Sequence, residues 1–171
     1  MNVRFIKQLY STPLLTTVYR KRALFTPYVD GRSEVTLTAD LLAEKDKDGN
    51  LIWRNAVNMI ARIRRELQID IDANKLPVVL GETGRVWLER VAADSVTAWW
   101  CDESKEAGKI ARVVLTLDTN PSARIHVGAE VAHMEAGSLW WVQHRALHCV
   151  ANWSNYPVIS MIAEFAIEEG E

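Results

Sequence analysis

Cysteine is scarce in this chain of 171 residues. There are two, Cys101 and Cys149, and neither sits in a CxxC pair. That leaves no disulfide framework and no thiolate zinc motif. No apolar run reaches the roughly 18 residues that mark a membrane-spanning helix. The opening MNVRFIKQLYSTPLL has neither the apolar core nor the small-residue cleavage site of a secretory signal, so the expected location is the cytoplasm. Neither sign of charge dominates: Lys and Arg number 20 and Asp and Glu 22, a formal net charge of -2. There is thus no general electrostatic case for nucleic acid or an anionic membrane. None of the eight glycines builds a phosphate-cradling loop, and Gly81-Glu-Thr-Gly84 reads as a turn. Walker, nucleophile-elbow and kinase signatures are likewise missing.

What is present is an ordinary globular balance, with 49% apolar and 25% charged residues. The length suits a single domain over 1–171. Seven tryptophans are many for that length. The doublets Trp99-Trp100 and Trp140-Trp141 put one indole on each face of a strand, because strand side chains alternate. The first half, 1–85, reads as a mixed support region. Val3–Leu9 and Leu15–Tyr19 are expected as short strands, and Thr38 caps a short helix to Lys45. Lys45 to Asn50 is a solvated turn. Trp53, Val57, Ile60, Ile63 and Leu67 recur at helical spacing and predict a helix over 53–67, with its arginines largely on a solvated face.

From Val86 the pattern changes to short strands. They are expected at Val86–Ala92, Val96–Cys101, Ala111–Asp118, Ala123–Val127, Ser138–Val142, His148–Trp153 and Val158–Ala166. Turn residues separate them at short intervals. Many short strands at even spacing suggest a sandwich or barrel over 86–166, with the helices covering one outer face.

One histidine stands out. An apolar run, Leu139 to Val142, ends in a polar corner, and His148 then heads a second apolar run. A jelly-roll barrel presents a metal ligand to its interior in this way. Read alone, His148 is more readily a hydrogen-bonded core histidine than a ligand. Asp102 is equally a turn residue in a solvated loop, and Arg112 a strand-head arginine that pairs with a carboxylate. Arg112 faces inward if its alternation matches Val114 and Thr116. His126, His133 and His144 read as surface or packing residues.

Three motifs carry a resemblance: Arg112 running into Thr119-Asn-Pro121, then HMEAGSLWW from His133 to Trp141, then His148 followed by a turn ending in Pro157. Their order resembles the aspartyl/asparaginyl β-hydroxylase family of iron(II)/2-oxoglutarate oxygenases, including its proline-hydroxylase-like branch. The resemblance covers about half the chain, Val86 to Ala166. It implies a mainly β double-stranded β-helix (jelly-roll, cupin-like) barrel carrying N-terminal helices. It also implies iron(II) and 2-oxoglutarate as cofactors, and an amino-acid, peptide or protein substrate. His148 falls at the distal metal histidine, Asp102 at the acidic ligand and Arg112 at an arginine that binds the acid. Two positions depart from the pattern. Trp100 stands where the family has its first metal histidine, and Val158 where it has a carboxylate-binding arginine. An indole has no lone pair for iron, and valine cannot neutralise a carboxylate. The resemblance therefore leaves two functions open: an oxygenase that holds iron with Asp102 and His148, or a descendant of the fold that lost iron and now binds a ligand or protein partner. It also places Cys101 and Cys149 on neighbouring strands, facing away from the cavity and close together.

Overall fold

The computed structural model describes residues 1–10, 26–28, 30–49, 54–76, 78–104 and 106–169. The expected strand Leu15–Tyr19 and Trp53, at the head of the expected helix, lie outside them. The described elements run β1 (Val3–Gln8), β2 (Thr26–Pro27), β3 (Arg32–Thr36), α1 (Ala39–Leu42), α2 (Arg54–Ala73), β4 (Val78–Val91), β5 (Ser95–Val96), a 3-10 turn (Glu106–Lys109), β6 (Ile110–Asp118), β7 (Arg124–Val127), β8 (Glu130–Ala132), β9 (Ser138–Val142), β10 (His148–Asn152) and β11 (Val158–Glu169). They form two antiparallel sheets. The larger has the order β1-β9-β6-β11-β4-β3-β2, and the smaller β5-β10-β7-β8. From β4 onward the strands alternate between the sheets, apart from the β7–β8 hairpin within the smaller one, in the winding of a double-stranded β-helix, the expected fold.

The period-two pattern of the three central strands decides what faces what. On β6, Ala111, Val113, Leu115 and Leu117 are buried on the side of α2, while Arg112, Val114 and Thr116 line the space between the sheets. On β11, Ile159, Met161, Ala163 and Phe165 face the helix side, and Val158, Ser160 and Ile162 line the interior. On β4, Leu88 joins the helix-side core, and Trp87 and Glu89 face inward. One buried cluster is thus the α2–sheet layer, and two smaller ones lie inside the barrel around Trp87, Ile125 and Val142 and around Val91, Ala123 and Val158.

Helix α2 buries Ala56, Met59, Ile63, Leu67 and Ile71 at spacings of three and four, and Ile63 and Leu67 are almost fully enclosed. Each large side chain contributes roughly 1.5–3 kcal/mol by leaving water. The expected stripe is displaced at its start: Val57 is exposed, and Ala56 and Met59 take the inner face. The helix also continues past Leu67 to Ala73, where the Asn74 amide donates to the Asp70 carbonyl and Lys75 adopts a positive φ. Its arginines do more than meet solvent. Arg62 and Arg64 donate to the carbonyls of Leu9 and Leu80 and so bind the helix to the sheet. Thr38 caps α1 as expected, its Oγ1 accepting from the Leu41 N–H.

Two expectations are corrected. The stretch Gly81 to Gly84 is strand, not turn. It lies within β4 opposite β11, where the pairing slips twice, at Phe165 on either side. A Cβ on Gly81 would meet the Ala166 Cβ at 3.1 Å, so the glycine serves close approach of two strands. The expected strand Val96–Cys101 is regular only at Ser95–Val96, with one isolated bridge from Trp100 to His148. Thr97 causes the interruption: its Oγ1 accepts the Val150 N–H that a strand carbonyl would otherwise take.

Candidate functional site

Between the sheets lies a cavity of about 70 Å³. His148, at the start of β10, and Trp100 form a hydrogen-bonded antiparallel bridge, with N···O distances of 2.9 and 3.1 Å. Their side chains emerge on one face, and the two rings lie 4.4 Å apart between centroids at 55°. His148 Nδ1 is 2.8 Å from the Ala146 carbonyl. A carbonyl only accepts, so Nδ1 carries the proton and Nε2 the lone pair. Burial, ahead of the carbonyl contact that opposes it, keeps His148 below the usual histidine range and therefore neutral at pH 7.

Asp102 stands two residues beyond Trp100, half-buried. Burial pushes its carboxyl up, but hydrogen bonds from Ser104 and the Arg112 charge outweigh that and hold it below the ordinary range. Its Oδ2 is 3.5 Å from Arg112 Nη2. Arg112 is buried and faces inward with Val114 and Thr116, the alternation the sequence required. Glu164, opposite it on β11, accepts from both Nε, at 2.9 Å, and Nη2. The guanidinium also lies between two indoles, 5.5 Å from Trp87 and 5.3 Å from Trp100. Its Nη1 has no hydrogen-bond partner among the described residues.

Val158 opens β11 and packs with Val91, Ala123 and Val150, so an apolar contact occupies that end of the barrel. His144 is buried with Nε2 3.1 Å from the Ala107 carbonyl, and His133 Nδ1 is 3.0 Å from the Ala123 carbonyl. His126 packs its edge on Trp99. All three are packing residues. Asn120, from the TNP motif, donates to Asn152 at 2.9 Å, and Asn152 donates to the carbonyls of Ala92 and Tyr156. That motif braces a corner of the barrel. Cys101 and Cys149 are both free. The Trp100–His148 register sets Trp99, not Cys101, opposite Cys149.

Sequence reasoning missed Glu89, Glu164 and Arg32. Glu89 is buried, and burial, opposed by Arg32, pushes its carboxyl up to about 7. Arg32 Nη1 lies 3.5 Å from Glu34 and 3.8 Å from Glu89, and its guanidinium covers the Tyr28 ring at 4.5 Å. The signal for Glu89 was in Val86-Trp-Leu-Glu-Arg-Val91, where period two puts Trp87, Glu89 and Val91 on one face. Nothing local announced Glu164 as the partner of Arg112, 52 residues away.

The donor set does not fit iron. Asp102 and His148 Nε2 are the donors that the resemblance offers, the Trp100 indole lies against the His148 ring, and Arg112 pairs with Asp102. No group of three His, Cys, Asp or Glu suited to a metal occurs among the described residues.

No protein-family model matches the chain, and no curated protein matches it. Solved structures do. A Pseudomonas putida prolyl-4-hydroxylase superposes with a TM-score of 0.67 at 12% identity, over 96% of this chain and 92% of that one. A Trichoplax adhaerens prolyl hydroxylase, solved with a peptide fragment of the hypoxia inducible factor oxygen degradation domain, gives 0.66 at 11% identity, over 96% and 83%. The viral collagen prolyl hydroxylase of Paramecium Bursaria Chlorella virus-1, solved with 2OG, gives 0.64 at 12% identity, over 98% and 96%. The chain has the fold of the 2OG-Fe(II) oxygenases.

Proposed function

We propose that this chain is an iron-free member of that fold, which binds a small ligand in the barrel cavity instead of hydroxylating a substrate. One observation carries the reading: the indole of Trp100, the position that the resemblance gives to the first metal histidine, rests with its centroid 4.4 Å from that of the His148 ring. The Val158 cluster and the ion pairs of Arg112 with Glu164 and Asp102 support it. The order of the motifs from Arg112 to Pro157 supports an origin beside the aspartyl/asparaginyl β-hydroxylases. An apolar cavity with a few polar groups suits ligand recognition.

The second reading is an oxygenase that hydroxylates an amino-acid, peptide or protein side chain. It draws on the free Nε2 of His148 and on the fold shared with prolyl hydroxylases. Asp102 and His148 would then hold iron(II), and Arg112 Nη1 the acid. The metal, when bound, would supply oxygen activation. The residues of the chain would only hold and orient, with Ala146 fixing the tautomer of His148.

Anaerobic titration with iron(II) and 2-oxoglutarate separates the two. The iron-free reading expects no visible charge-transfer band and no thermal shift with either ligand. A band would establish the second reading.

A further inference from the structure

Outside the barrel, the α2–sheet layer holds a second hollow, of about 400 Å³. It lies between the last turns of α2 and the helix-side face of the larger sheet. Leu67 and Ile71 of α2 and Ala111 of β6 line it and are buried, whereas Leu76, at its rim, is 41% exposed. Protein interiors pack closely and leave few voids larger than a water molecule. The rest of this layer obeys that rule: Ile63, Leu115, Met161 and Phe165 are fully enclosed. The gap opens where α2 ends, and apolar walls left facing water are unfavourable.

One wall is polar. Arg4 on β1 and Trp141 on β9 are register partners, and the guanidinium lies 6.0 Å from the indole centroid. Both line the hollow. Arg4 Nη2 donates to the Asp70 carboxylate, which also accepts from Asn74 Nδ2 at 3.2 Å. The charge of Arg4 is thereby balanced. Met1 also lines the hollow, and its amine lies 3.9 Å from Glu130. The backbone at the mouth is paired as well: the Leu76 N–H donates to the Ile71 carbonyl at 3.1 Å, and the Val78 N–H to the Leu76 carbonyl at 2.8 Å. Arg4 Nε is different. It is buried and has no hydrogen-bond partner among the described residues. A buried N–H without an acceptor is costly.

We infer that this hollow binds an aliphatic molecule with a neutral carbonyl head, its oxygen accepting from Arg4 Nε and its chain lying along Leu67, Ile71 and Ala111. A carbonyl accepts and does not donate, which complements one unpaired N–H. A carboxylate head would meet the Asp70 charge beside the guanidinium, and an ammonium head would meet Arg4 itself. Apolar walls with a few placed polar groups are the usual character of a small-molecule site. The inference uses no residue of the barrel cavity, so it stands whichever way the iron titration falls.

The test uses the full chain at neutral pH with methyl hexyl ketone, octanoate and octylamine, followed by calorimetry and by NMR of the isoleucine methyl groups. The ketone is expected to bind and to shift the methyls of Ile71 and Ile167, which line this hollow, and not those of Ile125 and Ile162, which line the barrel cavity. Octanoate and octylammonium are expected to bind at least about fivefold more weakly. Arg4→Met, which keeps an unbranched stem and removes the donor, is expected to weaken the ketone about fivefold, the worth of one hydrogen bond. Asp70→Asn leaves Arg4 unbalanced and is expected to turn the preference toward octanoate; it stands in if Arg4→Met does not fold. Ala111→Leu, which fills the hollow from the sheet, is expected to abolish binding. Absence of ketone binding, shifts at Ile125 and Ile162 instead, or a charged head binding as tightly would overturn the inference. So would undiminished ketone affinity in folded Arg4→Met or Ala111→Leu, or an unchanged preference in Asp70→Asn.

Discussion

At the scale of single residues, Trp100 and Val158 shape the cavity through their neighbours. Trp100 bridges His148 through the backbone, meets its ring at a 55° tilt and lies over the Arg112 guanidinium. Arg112 in turn is held by Glu164 in an internal ion pair. Breaking such a pair by removing one member leaves an uncompensated buried charge, which costs about 3–5 kcal/mol, whereas replacing both members with apolar residues is often near neutral. Arg112→Met is therefore expected to lower the unfolding free energy by about 3 kcal/mol in urea denaturation. The double change Arg112→Met with Glu164→Leu should recover most of that loss. An equal loss in single and double variants would show that the arginine stem, and not its charge, matters. The inward aim of Arg112 was legible from its alternation with Val114 and Thr116. Its partner was not, because a contact across 52 residues leaves no local trace.

At the scale of elements, α2 shows how periodicity fixes a helix but not its rotation. The apolar residues at 56, 57, 59, 60 and 63 form a wide stripe, and the sheet chooses which edge of it to bury. Ile63 and Leu67 were common to both alignments and are the most enclosed. Ile63→Ala is expected to cost about 3 kcal/mol, within the range for a buried large-to-small change, and Val57→Ala less than about 0.5 kcal/mol. Thermal or urea unfolding of the two variants checks the rotation, and a larger loss for Val57→Ala would reverse it. Strand β4 teaches the complementary lesson. Two glycines in Gly81 to Gly84 suggested a turn, yet pairing with β11 overrides local turn propensity, and the glycine at 81 permits a close approach that a side chain would obstruct.

At the scale of the whole molecule, the barrel brings Trp100, Arg112, His148 and Val158 from four separate segments to one cavity. If the cavity is an oxygenase site with two essential groups replaced, restoring both should restore metal affinity. The variant Trp100→His with Val158→Arg is expected to bind iron(II) by calorimetry where the natural chain does not. Failure to bind in a folded double variant would mean that the site geometry, beyond those two side chains, has also moved. Alternation, helical spacing and turn residues determined by themselves that this chain is mainly β with a helix-covered face, and the order of motifs from Arg112 to Pro157 pointed to a double-stranded β-helix. Those signals are local, because strand and helix periods are set by backbone geometry. Only the tertiary structure decided that Glu164 occupies Arg112, that Trp100 lies on His148, and that Arg4 meets Trp141 at the hollow beneath α2. Each is a meeting of distant segments, and it is register between strands, not spacing within one, that places such side chains together.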